Sequence, residues 1–145
     1  MKRIIKFRGK DKKTGKWVYG DLTHTKGLDF SKPGFTYPRT MVAGYEVDDD
    51  SVGQFTGMKD RKGVEVYIGD IVYVEYDDES NAYCLVGWNE KELAVGVMHD
   101  YAYRALLDGC DFPTFDNHIL IGHYEHACRF EVVGNIIENP KILIY

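Results

Sequence analysis

Apolar positions along this chain come in short runs that alternate with polar ones and stop at Gly, Asp, Asn or Pro. A period of two sends successive side chains to opposite faces, which is the pattern of half-buried strands. Ile5 and Phe7 alternate with Lys6 and Arg8, and Trp17 to Leu22 follows an Asp-Lys-Lys-Thr-Gly turn. Val52 to Thr56, Val64 to Tyr67 and Ile71 to Tyr76 come next; in the last run Val72, Val74 and Tyr76 share one face and Tyr73 and Glu75 the other. Tyr83 to Trp88 and Leu93 to Met98 flank Asn89-Glu90-Lys91-Glu92, which reads as a hairpin loop. Near the end, Phe130, Val132 and Ile136 line one face of a strand running to Ile137. Only Asp100 to Asp108 has helical character, with Asp100 as cap and Gly109 as stop. Residues 23–47 are polar and broken by Gly and Pro, and read as a long excursion with one or two short strands. The predicted fold is therefore mainly β, a small barrel or packed antiparallel sheets with at most one short helix. It is read as a single domain over residues 1–145, with sub-units 1–67 and 68–145 if it divides.

The turns carry their own chemistry. Asp60-Arg61-Lys62-Gly63 places Asp at the first and Gly at the fourth position of a type I turn. Asp can accept a hydrogen bond from backbone further along the turn, and Gly can take the left-handed conformation. Gly69-Asp70 then launches the strand from Ile71. The stretch has an echo: Phe7, Gly9, Gly15, Val18 and Tyr19 match Phe55, Gly57, Gly63, Val66 and Tyr67 at a constant offset, and one residue more aligns Lys10, Asp11, Gly20 and Asp21 with Lys59, Asp60, Gly69 and Asp70. The pairing predicts two similar hairpins, not a solenoid, which needs three stacked units.

Eleven Tyr, seven Phe and fifteen Gly reinforce the β reading. The N-terminus has no apolar run of signal-peptide length, and no stretch is long enough to span a bilayer. Three widely spaced cysteines, Cys84, Cys110 and Cys128, suit reduced thiols in a cytoplasm better than a disulfide framework. The net charge of −5 is uneven: residues 1–16 hold eight basic groups against Asp11, and the remainder holds ten basic and twenty-two acidic groups. A basic first hairpin with Lys6, Arg8, Lys10, Lys12, Lys13 and Trp17 could contact phosphates and stack a base. The same residues equally describe an exposed hairpin on an acidic body, whose field would repel a duplex.

Motifs of catalysis are missing. Gly57 and Gly63 do not have phosphate-loop spacing and precede a strand; there is no G-x-S-x-G and no calcium-loop pattern. His118, His123, His126 and Cys128 are the residue types that bind zinc, but their spacing fits no familiar zinc pattern, and on a strand His123 and His126 point to opposite faces. His123-Tyr124-Glu125 matches half of a nucleobase-deaminase signature and lacks its Pro-Cys-x-x-Cys half. No metal or cofactor is expected. Acidic tracts such as Asp48 to Asp50 and Asp77 to Glu79 read as solvated loops.

An ordered string of motifs resembles one family. Ile5-Lys6-Phe7-Arg8, Val52-Gly53-Gln54-Phe55-Thr56-Gly57, Lys59-Asp60, Gly63 and Tyr67-Ile68-Gly69-Asp70-Ile71-Val72 are similar to the signature of the YopX-like proteins of bacteriophages and prophages. So is Glu131-Val132-Val133-Gly134-Asn135-Ile136-Ile137-Glu138-Asn139-Pro140. The likeness is weakest over roughly residues 83–128, and Ile68 stands where the family usually has an acid. The resemblance implies a β-rich fold and a phage or prophage setting in a bacterial cytoplasm, and supplies no mechanism. It marks Gly57, Asp60, Gly63, Gly69, Asp70, Gly134 and Asn135 as structural motif residues. The expected function is a non-enzymatic accessory protein that binds a host or phage protein, with nucleic-acid binding through the basic first hairpin as the alternative.

Overall fold

The alternation becomes strand pairing almost everywhere it was read. The computed structural model describes residues 2–76, 79–90, 93–109 and 129–145. Its strands form three antiparallel sheets and, among the described residues, close no barrel; of the two predicted architectures, packed sheets is the one found. The chain forms two compact units, Met1–Phe55 and Thr56–Tyr145, and the boundary falls inside a strand.

In the first unit, β1 (Phe7–Lys10) and β2 (Trp17–Gly20) make the first hairpin, with Arg8 opposite Tyr19 and Lys10 opposite Trp17. Phe7 and Arg8 also pair with Gln54 and Gly53, at the start of the strand that leaves this unit. Asp11 builds the turn. Its carboxylate accepts Lys13 N (3.0 Å) and the Thr14 hydroxyl (3.0 Å), and Gly15 N donates to Asp11 O (2.8 Å). Among the described residues of this unit, Val42, Val47 and Phe55 are the buried large apolar side chains.

Residues 22–46 depart from the reading of a loose excursion. They form a continuous three-stranded sheet: β3 (Leu22–Leu28), β4 (Thr36–Val42) and β5 (Tyr45–Glu46). β4 and β5 meet through Ala43 and Gly44, both at positive φ (51° and 83°), which is the backbone of a two-residue type I′ hairpin turn. Ala-Gly is not the Asn-Gly signature of that turn, so the hairpin stayed hidden. Pro38 is tolerated within β4 because β5 pairs only with Met41 and Val42, leaving Pro38 with a strand on one side alone.

In the second unit, the remainder of β6 (Gly53–Lys59) lies beside β7 (Glu65–Tyr67), where the Thr56 hydroxyl donates to Val66 O at 2.7 Å. The larger sheet has the order β10-β9-β8-β11, from β8 (Asp70–Glu75), β9 (Asn81–Asn89), β10 (Ala94–His99) and β11 (Phe130–Asn135). Val66, Val72, Val74, Cys84, Val86, Val97 and Phe130 form its core, each at most 1% exposed. The face assigned to Val72 and Val74 is thus the buried one. β11 ends at Asn135, not Ile137, and its register shifts between Val132 and Gly134. That bulge takes Ile136 out of the alternation that begins at Phe130.

The predicted helix is α1 (Asp100–Leu107), but its cap is His99; Asp100 is the first helical residue and its Oδ2 accepts from Arg104 one turn on at 3.4 Å. Gly109 stops it, at positive φ. A further single turn, α2 (Lys141–Ile144), follows Pro140 and buries Leu143. No helix among the described residues is long and apolar enough to cross a membrane.

Candidate binding surface

Beyond the contact with β5, β3 and β4 form a two-stranded ribbon, an arm in which Leu28 pairs with Thr36 at the far end. The ladder continues one step, with Asp29 N donating to Phe35 O at 3.0 Å. The turn beyond is held by its own bonds: Asp29 Oδ1 accepts Ser31 N (3.0 Å) and the Ser31 hydroxyl (2.6 Å), and Phe35 N donates to Lys32 O (3.0 Å). The Ser31 hydroxyl and amide hold the Asp29 carboxyl below its usual range. A defined turn here presents apolar groups to water. Leu28 is 66%, Phe30 91% and Phe35 64% exposed, and these residues with Asp29, Pro33 and Gly34 line a shallow hollow at the tip. An isolated ribbon is marginal in water, and clustered exposed apolar groups mark interaction sites.

One face of the arm carries Phe35, Tyr37 and Arg39 at alternate positions, opposite Asp29, Gly27 and Thr25. A Cβ on Gly27 would lie 2.5 Å from the Tyr37 ring, which would have to swing aside. Tyr37 lies across the glycine and thereby replaces the missing side chain. Beside it, Arg39 Nε and Thr25 Oγ1 are buried and have no hydrogen-bond partner among the described residues.

The first hairpin gathers Lys6, Arg8, Lys10 and Trp17 on one face, with Lys12 and Lys13 in its turn. Much of that face is occupied. The Arg8 guanidinium lies over the Trp17 ring at 4.8 Å, and Lys6 Nζ over the Phe55 ring at 4.9 Å. Arg8 and Phe55 are both buried, and Lys12 pairs with Glu46 at 3.3 Å. Lys13 is exposed and Lys10 half-buried.

The motif residues hold the second unit together. Asp60 Oδ1 accepts Lys62 N (2.8 Å) and Val64 N (2.9 Å), Oδ2 accepts Val132 N (3.0 Å), and Gly63 N closes the turn onto Asp60 O (3.0 Å). Asp70 Oδ2 accepts Tyr67 N at 2.8 Å, while Gly69 donates to Val86 O and accepts from Ile136 N. Gly57 adopts positive φ. Asn135 Oδ1 accepts Ile137 N and Glu138 N, and a Cβ on Gly134 would strike Asn139 Oδ1 at 2.6 Å. The turn chemistry of Asp11 and Asp60 is the same, each carboxylate accepting the amide two residues on, so the sequence echo is a structural one.

Arg61 and Lys62 extend from the same turn to β11. Lys62 Nζ and Arg61 Nη2 (2.8 Å) both donate to Glu131, and Arg61 Nη1 reaches Glu75 at 3.4 Å. The Lys62 and Arg61 hydrogen bonds hold the Glu131 carboxyl below the usual glutamate range. The unfolded chain then takes up this proton at a higher pH than the folded one. The stabilisation is present above the ordinary glutamate pKa and is lost as pH falls through the lower folded value. Glu131→Gln is expected to lower the urea midpoint at neutral pH and to converge with the parent protein in acid; a pH-independent gap would refute this.

Cys84 is buried in the core, and its thiol is pushed up to about 12, chiefly by burial and further by the negative charge of Asp100. A thiol in that state is a packing group, not a nucleophile. Among the described residues no group of three His, Cys, Asp or Glu is placed to hold a metal. His118, His123, His126, Cys128 and Cys110 lie outside the described residues.

The comparison with curated proteins finds no match. Among solved structures, protein EF1440 from Enterococcus faecalis is similar at 20% identity and a TM-score of 0.47, over 98% of this chain and 99% of that one. A family model described as YopX protein matches residues 6–144, and the chain therefore belongs to the YopX family.

Proposed function

We propose that this protein is a non-enzymatic accessory protein of phage or prophage origin that works in the bacterial cytoplasm by binding a protein partner. The observation that carries the reading is the tip of the β3–β4 arm, where Phe30 is 91% exposed on a turn held by its own hydrogen bonds. A structured turn offers its apolar groups without the ordering cost that a loose loop would incur on binding. Exposed aromatic anchors of this kind dominate protein interfaces. The alternative, nucleic acid on the first hairpin, has less support, because Arg8 and Trp17 are stacked on each other and Arg8 is buried. A non-enzymatic role accords with buried acids such as Asp60 and Asp70 accepting backbone amides.

Phe30→Ser is expected to leave the fold intact, since fully exposed positions change stability by about 0.5 kcal/mol at most. It should abolish capture of the partner that cross-linking maps to the arm of the parent protein in host lysate. Equal capture by the parent and the variant would show that the tip is not the docking element.

A further inference from the structure

Beside its tip the arm has an unpaired edge. In the sheet of order β3-β4-β5, β3 pairs on one side only, with β4. Given the reading of a protein partner at this arm, on which this rests, we infer that the outer edge of β3 takes an extended acidic segment of that partner as an added strand.

The ladder fixes which backbone groups face out. In an antiparallel pair, facing residues alternate between those that bond each other and those whose N–H and C=O point away. Thr40 O accepts Val47 N at 2.9 Å, on the β5 side of β4, so the His24–Thr40 pair is of the second kind. Lys26–Pro38 and Leu28–Thr36 follow at steps of two. The bond from Asp29 N to Phe35 O gives the same phase from the other end. Pro38, which has no N–H, sits where β3 requires none. His24, Lys26 and Leu28 therefore turn their N–H and C=O groups to the outer edge, and all three residues are exposed. Such a row on an edge strand is a template for another strand.

Side chains choose the occupant. His24, Lys26 and Leu28 share a face with Thr36 and Pro38, and neither β3 nor β4 contains an acid. Lys26 makes no ion pair among the described residues. A strand added here sets its residues directly opposite Lys26 and Leu28, at the separation where opposite charges attract and apolar groups pack. The matching segment carries an acid opposite Lys26 and an apolar residue two positions away, opposite Leu28. On the other face, the residue opposite Gly27 meets the end of the Tyr37 ring, which lies over that glycine. A second copy fits poorly, since its β3 has no acid for Lys26 and an edge lysine opposes self-pairing. A nucleic acid has no strand to add.

The probe is a displayed library of random peptides of about ten residues, the length of a long strand, with the full chain as bait. Enrichment of peptides that place an acid two residues from an apolar group is expected. The most enriched peptide is then titrated by fluorescence anisotropy and followed by amide hydrogen exchange. In the free protein the His24, Lys26 and Leu28 amides should exchange faster than those of Thr25 and Gly27, and the peptide should protect these three. Lys26→Glu should weaken binding about tenfold, because it turns a cross-strand attraction into a repulsion, and added salt should narrow that difference. Phe30→Ser should bind the peptide as the parent does, so the edge and the tip can fail separately. No enrichment would overturn the inference, as would a peptide that protects other amides or is indifferent to Lys26→Glu. Protection of the same three amides by oligo-dT, or by a doubling of mass with concentration, would assign the edge to nucleic acid or to a second copy and overturn it as well.

Discussion

Asp60→Ala is expected to cost about 3–5 kcal/mol in urea unfolding, a large part of the stability of a domain this size. Asp60 is 6% exposed and is the acceptor for three backbone amides. Two of them, at Lys62 and Val64, belong to its own turn. The third, at Val132, lies on β11 and ties the β6–β7 turn to the edge of the larger sheet. A hydrogen bond to a charged acceptor contributes about 1.5–3 kcal/mol, and donors left buried without one lose more than the average bond is worth. Asp60→Asn should fall between: the amide oxygen can serve one side of the turn, while its NH₂ group opposes an N–H on the other. A loss below about 1 kcal/mol for the alanine variant would mean that water takes over all three amides.

The second large effect is in the core. Phe130→Ala should destabilise the protein by about 3–5 kcal/mol, since it removes a fully buried ring. Phe130 is 0% exposed, sits opposite Val74 in the ladder, and packs with Val66, Val72, Val86 and Val97. The rigid sheet around it cannot collapse into the void. Phe130 O also accepts Arg61 N at 3.2 Å, one residue from Asp60, so the two sites share one seam between turn and strand. The double variant should therefore be less destabilised than the sum of the two, by about 0.5–3 kcal/mol, when both are measured by the same denaturant titration. Strict additivity would separate the seam into independent parts.

Most of the second unit was legible because its signals are local. Val72 and Val74 alternate with the half-buried Tyr73 and the exposed Glu75, and Asp60 with Gly63 spells out its turn within four residues. The helix was legible too, apart from its cap, because a carboxylate before an apolar run serves equally as cap or as first residue; here it pairs with Arg104 instead. The bulge at β11 was not legible, since a one-residue slip leaves the composition of a strand unchanged while turning the residues beyond it to the other face.

The arm is where local reading failed and where the candidate surfaces lie. Thr, Lys, His, Gly and Pro in residues 23–40 lack the apolar alternation that burial imposes, because this ribbon is largely exposed. Its strands are held by cross-strand pairing and by Tyr37 on Gly27, neither of which leaves a periodic trace. Conversely, the basic residues of the first hairpin looked solvent-facing, and the fold stacks Arg8 on Trp17 and buries it.

By itself the sequence determined the β class, most strand positions, the two aspartate turns and the family, since period and turn chemistry are properties of neighbours along the chain. The tertiary structure alone decided which polar and aromatic groups meet water. It covered Arg8, exposed Phe30, lined up Phe35, Tyr37 and Arg39, and gave Asp60 its third partner 72 residues away. Exposure is a property of what packs against a residue, and that is settled by pairings between segments that sequence proximity does not record.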